Sequence, residues 1–438
     1  MNDRQVFEIQ GLYGSYSVPE SVLQNIWFNG DFNHKGLRTL SGKSISILNP
    51  GRLNDNEGPD FLEAVLKIDG KAIVGSVEVH FEPIDWFYYY HHINPSFDSV
   101  ILHVVLALGN HTSGDLNRSY FLNSLRDLET LTLLPYLNTD LENYAIEHAL
   151  LTFEKKNFFD FKYLRENLSE AERIALFYAE AKTRFQRKVK FAKKRLEYSS
   201  LDEACHVMLL EVLGYSRNRL AMSNIGLHQP LANWHQSAEV LYEKYKTDWK
   251  LSGVRPANQP LTRLKQYTSL LEKEPNWPKR ILEHSAFFKD QGLGNSINNR
   301  KRSPMMRKIK QVFQSDILHN FVGETRFHTI MIDAILPLIE AGKLMSTESI
   351  WLDWWQGDKP NSSNIYLKQL LSDQSRNPNR NAWIQGLYGL LIKQYSRITE
   401  IPNEHSQRGA SKGHSRRKSN CSHNSIVQNE SIVLDGAS

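Results

Sequence analysis

A chain of 438 residues, 40% hydrophobic and 23% charged, has the balance of a globular protein and room for two or three domains of roughly 100–200 residues each. No stretch reaches the ~18 consecutive apolar residues of a helical membrane span, and two cysteines, Cys205 and Cys421, exclude a disulfide framework and a thiolate metal cluster. The net charge of +5 is small, but its cations are clustered, and clustering says more about partners than the total does.

The opening residues, MNDRQVFEIQGLYG, show neither a basic n-region nor an apolar h-region, so a cytoplasmic location is expected. Helical spacing of Val22, Leu23, Ile26 and Trp27 predicts a helix over 18–28, with Pro19 and Glu20 in its first turn. Strand-length runs rich in Val, Ile and Leu follow at 44–51, 61–70, 71–81 and 99–108. A polar-aromatic connection, DWFYYYHHINPSFD, separates the last two. From about residue 140 apolar positions recur three and four apart, so the larger remainder is expected to be helical. Beyond about 402 the chain is dominated by Ser, Asn, His and Arg and is expected to be a disordered tail. The predicted organisation is an α/β domain over 1–135, a mainly helical domain over 136–400 and the tail over 401–438.

Asp69-Gly70 is a strong hairpin signal, and it brings the far ends of the second and third strands together, so Asp60 becomes a neighbour of Glu78. The register is left open: a two-residue loop pairs residue 60 with 79, whereas a longer loop or a bulge pairs it with 78 or 80. Period-two alternation puts Asp60 in line with Leu62, Ala64, Leu66 and Ile68, at the end of an apolar stripe. Glu78 and His80 share a face of the next strand, which reads as covered on both sides. Two neighbouring carboxylates in such a place need positive charge, and a hard divalent cation, Mg²⁺ or Mn²⁺, supplies it. The competing reading is ordinary: a turn aspartate after Pro59 and a solvated strand end.

Together the Pro-Asp before one strand, the Glu-x-His on the next, the acidic residue in the first helix and the αβββαβ order resemble the PD-(D/E)XK nuclease-like superfamily. The segments GPDF, GSVEVH, DW, HH and VILHVV, with LGYSRN, VRPANQPLTRL and IQGLYGLL further on, are more closely similar to an uncharacterised bacterial family, a domain of unknown function placed within that superfamily. The resemblance implies a restriction-endonuclease-like core with Asp60 and Glu78 as metal ligands and Glu20 as the acidic residue of the first helix. It puts His80 where the superfamily has lysine, and imidazole lacks the fixed charge of lysine at neutral pH. It also puts Tyr89 where the closer family has histidine, while His91 and His92 match.

His91, His92 and His103 are candidates for a metal or supporting group, with His103, inside ILHVVLAL, expected in the core. Residues 182–195 carry Lys182, Arg184, Arg187, Lys188, Lys190, Lys193, Lys194 and Arg195 with no acid among them, a candidate nucleic-acid contact or a solvated helix face. A second cluster lies at 300–310, and Arg217 and Arg263 fall in family-like motifs. The expected function is metal-dependent hydrolysis of nucleic-acid phosphodiesters, with Asp60, Glu78 and His80 catalytic. The alternative is a catalytically silent nucleic-acid-binding or scaffold protein that retains the fold.

Overall fold

The computed structural model describes residues 18–54, 56–108, 128–138, 141–156, 164–215, 217–290, 299–355, 361–371 and 380–399. Helix α1 (Ser21–Asn29) precedes strands β1 (Ile45–Asn49), β2 (Arg52–Leu53), β3 (Phe61–Ile68) and β4 (Lys71–His80). A short helix α2 (Asp85–Tyr88) leads to β5 (Val100–Val105) and β6 (Thr130–Thr132). The helical remainder comprises α3 (Leu141–Lys156), α4 (Glu170–Tyr198), α5 (Leu201–Leu213), α6 (Arg219–His228), α7 (Ala238–Lys244), α8 (Pro260–Lys273), α9 (Trp277–Asp290), α10 (Asn299–Gln311), α11 (Glu324–Ile330), α12 (Leu336–Ala341), α13 (Glu348–Asp353), α14 (Asn361–Leu370) and α15 (Asn381–Thr399). The expected tail lies outside the described residues.

The sheet runs β1-β3-β4-β5-β6, with β2 also on β3. Its first half is antiparallel, joined by the Asp69-Gly70 turn between Ile68 and Lys71, and β4, β5 and β6 are parallel. Near the turn the hairpin pairs as a two-residue loop requires, Ala64 opposite Gly75, but beyond it Phe61 stands opposite Val77. One residue has been inserted, and Glu63, at φ 60°, marks the bulge. Asp60 therefore falls next to Glu78. The bulge also changes the phase of the strand: Phe61, Ala64, Leu66 and Ile68 are buried while Leu62 is half-exposed. The expected stripe through Leu62 to Asp60 is thus corrected, because period two fails across an inserted residue.

Opposite the bulge the edge bends too. The β1–β2 junction is Asn49-Pro50-Gly51, with Gly51 at φ +102° and so close to the bulge that a Cβ there would lie 2.9 Å from the Leu62 carbonyl oxygen. Trp27 of α1 fixes this corner by donating its indole N–H to the Pro50 carbonyl at 3.1 Å.

Among the described residues two apolar cores form, and chain order does not divide them at residue 135. The sheet core joins α1, the sheet and α3 to the distant α15, through Ile384, Leu387 and Leu391. The second core packs α5, α6, α8 and α9 around residues such as Leu209, Leu264, Trp277 and Trp351. Helix α4 spans both, with Phe177 in the first and Phe185 in the second. Its contact with α15 is close because Gly386 lacks a side chain: a Cβ there would meet the Phe177 carbonyl oxygen at 2.5 Å. The long α4 starts at a capping box in which Ser169 and Glu172 satisfy each other's backbone N–H groups.

Candidate functional site

Strand β4 is buried on both faces from Ser76 to His80, as the mixed pattern of that stretch implied. Glu78 is 5% and His80 2% exposed, so both must be satisfied inside the protein. The partners converge from four elements. Asp60 donates its backbone N–H to Glu78 Oε2 at 2.9 Å and accepts the Val79 N–H on Oδ2 at 3.0 Å, a reciprocal lock that exists only in the bulged register. From α1, Gln24 Nε2 donates to Asp60 Oδ1 at 2.8 Å. The other Glu78 oxygen, Oε1, lies 3.3 Å from His80 Nε2 and 3.2 Å from His91 Nε2.

His91 arrives by a reversal after α2. Tyr90, which separates α2 from the turn containing His91, sits at φ 59°, a conformation a tyrosine rarely adopts. The His91 ring then stacks on Phe97 at 3.7 Å and on His80 at 5.2 Å. Behind His80, His103 of β5 faces its Nδ1 through Nε2 at 2.9 Å. His103 is fully buried, as expected of a core residue, and also supports the site. Tyr89, 54% exposed, lies over His80 with centroids 5.6 Å apart, and His92 is exposed and turned to Phe87.

Burial pushes Glu20 up to about 8, with Asp60, Glu78 and Asp85 adding to it, and pushes Asp60 up to about 7, with Glu78 adding. Burial also acts on Glu78, but its hydrogen bonds with His80 and His91 prevail and carry it down to about 2. Burial lowers His103 to about 3, so its ring is neutral. Glu20 is thus electrostatically joined to Asp60 and Glu78, but the groups of at least three metal-donor residues that converge within 4.8 Å among the described residues consist of Glu78, His80 and His91, without Glu20 or Asp60.

These shifts set a pH dependence. Glu20 and Asp60 hold protons more tightly folded than unfolded, so their contribution is complete below about pH 4 and is lost as pH rises through about 7 and 8. Glu78 acts oppositely, but its loss comes on acidification toward about 2. Metal-stripped protein should therefore melt at progressively lower temperature between pH 5 and pH 8.5. Glu20→Gln should flatten that decline, and melting curves of both proteins across this range check it.

The basic stretch is placed differently from a solvated face. Arg184, Lys188 and Arg195 are buried in ion pairs with Glu142, Asp333 and Glu211. Asp333 sits in a π-helical turn, Met331–Ile335, that faces α4. These three hold helices together and present no cation to solvent. Lys182 is exposed and paired with Glu348 at 3.2 Å, Lys190 and Lys193 are exposed, and Arg187 and Lys194 are half-buried. In the second cluster Lys310 pairs with Glu324 and Lys308 lies over Phe287; the side chains of Arg300, Lys301 and Arg302 lie outside the description. Arg217 donates to the Ser252 carbonyl and Arg263 to Asn258 and Gln266, both within the helical part.

Fold and site together define a mixed α/β protein with an N-terminal sheet, a mostly helical remainder and a buried glutamate–histidine cluster on the central strand. Among the described residues no helix is long and apolar enough to cross a membrane. The chain belongs to the family described as protein of unknown function DUF2851, whose model matches residues 20–244, from Glu20 to the end of α7. Neither a curated protein nor a solved structure matches the chain.

Proposed function

We propose that this protein is a PD-(D/E)XK-like hydrolase that cleaves phosphodiester bonds of nucleic acid in the cytoplasm with a divalent cation, Mg²⁺ or Mn²⁺ in the reading of the sequence. The observation that carries the proposal is the bulge at Glu63, which sets Asp60 beside Glu78 on a sheet whose chain order is helix, antiparallel strands, connection and parallel strand. The residues fit a cation: Glu20 and Asp60, whose ionisation burial resists, are gathered near Glu78, which its histidine partners hold ionised, and a divalent ion offsets the cost of charging all three. When bound, such an ion lowers the pKa of a water and stabilises charge developing on phosphate oxygens.

The chain's own residues prepare the place. Gln24 and the Val79 N–H hold Asp60 in one orientation, and the Asp60 N–H holds Glu78. His80, steadied at Nδ1 by neutral His103, presents Nε2 toward Glu78 and is placed to hold or pass a proton at that atom. Exposed Lys190 and Lys193 remain candidates for backbone contact; buried Arg184, Lys188 and Arg195 do not take part.

The second reading, a silent nucleic-acid-binding or scaffold protein, is favoured by His80 standing in the lysine position with both ring nitrogens already engaged. Labelled single- and double-stranded DNA and RNA incubated with Mg²⁺ or Mn²⁺ separate the two. Cleavage abolished by Asp60→Ala supports the hydrolase. Salt-sensitive binding without cleavage of any substrate overturns it in favour of the second.

A further inference from the structure

We infer that Glu78, His80 and His91 form a two-histidine, one-carboxylate site for a borderline transition-metal ion such as Zn²⁺, and that this site does not select Mg²⁺. Two imidazole Nε2 atoms lie 3.3 and 3.2 Å from the same Glu78 oxygen, and the three ligand atoms fall within 4.8 Å of one another. A tetrahedral ion bound at 2.0–2.1 Å separates its ligands by about 3.3 Å, so the two nitrogen–oxygen spacings already match edges of such a tetrahedron. Nitrogen donors suit Zn²⁺ and its neighbours, whereas Mg²⁺ takes oxygen and keeps several waters.

Supporting contacts strengthen the assignment. His80 reaches His103 through Nδ1, the arrangement that fixes a metal-bound imidazole with its Nε2 lone pair directed at the ion. The second oxygen of Glu78 is held by the Asp60 N–H, which aims Oε1 at the two rings. The Asp60 carboxylate, by contrast, spends one oxygen on Gln24 and the other on Val79. Asp60 is then a positioning residue, and His80 is a ligand instead of a substitute for lysine.

The inference shares with the proposed function the premise of a metal centre but does not depend on phosphodiester cleavage. Metal-stripped full-length protein, titrated with Co²⁺ and followed by its visible ligand-field absorption, then displaced with Zn²⁺, tests it. One equivalent should bind with the intense spectrum of a low-coordinate site. His91→Ala should weaken binding at least about a hundredfold, and Asp60→Asn no more than about tenfold, the lower end for a supporting residue. Circular dichroism melts confirm that each variant is folded. Binding indifferent to His91→Ala, or Mg²⁺ binding that needs Asp60 and not His91, overturns the inference and leaves the hydrolase standing on an oxygen-donor site. Histidine-dependent Zn²⁺ binding without cleavage keeps the inference and removes the hydrolase. Failure of every ion to bind overturns both.

Discussion

Replacing Glu78 by glutamine should reduce cleavage by on the order of a thousandfold, about 4 kcal/mol of lost transition-state stabilisation. The substitution keeps the volume and an acceptor oxygen but removes the one carboxylate that touches Asp60, His80 and His91 together. Stability should respond much less. Loss of the charge weakens the contacts to two histidines, but it also removes a repulsion that raises Asp60 and Glu20. These effects oppose each other, so in metal-free protein at pH 8 the melting temperature should move by less than about 5 °C. Rate and melting curve measured on one preparation check both halves. Retention of more than a tenth of the wild-type rate would take Glu78 out of the centre.

Arg195→Ala should destabilise the fold by about 3 kcal/mol, whereas Lys193→Ala on the same helix should stay within about 0.5 kcal/mol. Arg195 is 3% exposed and pairs with Glu211, itself 5% exposed; its removal leaves a buried carboxylate that retains Arg219 at 3.3 Å. The cost comes from that remaining charge more than from the lost attraction, so Arg195→Met with Glu211→Leu should recover most of it. Urea denaturation of the four proteins decides the matter. If the double variant is no better than Arg195→Ala, the pair is not the cause. If Lys193→Ala is the more damaging, the buried face of α4 is not the one that carries Arg195.

The basic helix shows how a sequence can be legible and still be misread. Ala181, Arg184, Phe185, Lys188, Val189, Ala192 and Arg195 recur at three- and four-residue steps and form one buried stripe of α4. Periodicity therefore carried the burial of three cations, but counting charges in a row obscures a period of 3.6. The hairpin was legible from Asp69-Gly70 and the strand runs. Its register was not, because the bulge rests on Glu63, a residue without turn character, and the matching bend is announced only by Asn49-Pro50-Gly51 on another strand. Gln24 was within reach, four residues after Glu20 on the same helical face. His91 stood among the candidates, but its meeting with Glu78 depends on the left-handed Tyr90, which composition does not mark.

The path by which α15 reaches the sheet core bears on how the protein is made. Strands β1 to β6 emerge from the ribosome early, yet Ile384, Leu387 and Leu391, which close the same core, follow some 250 residues after β6. Until then the nascent sheet keeps apolar surface uncovered, and the final contacts join distant parts of the chain, the kind of closure that is slow to form. Synthesis of this protein thus carries a long interval of exposure to association with other unfinished chains, and truncation shortly before residue 381 would make that exposure permanent.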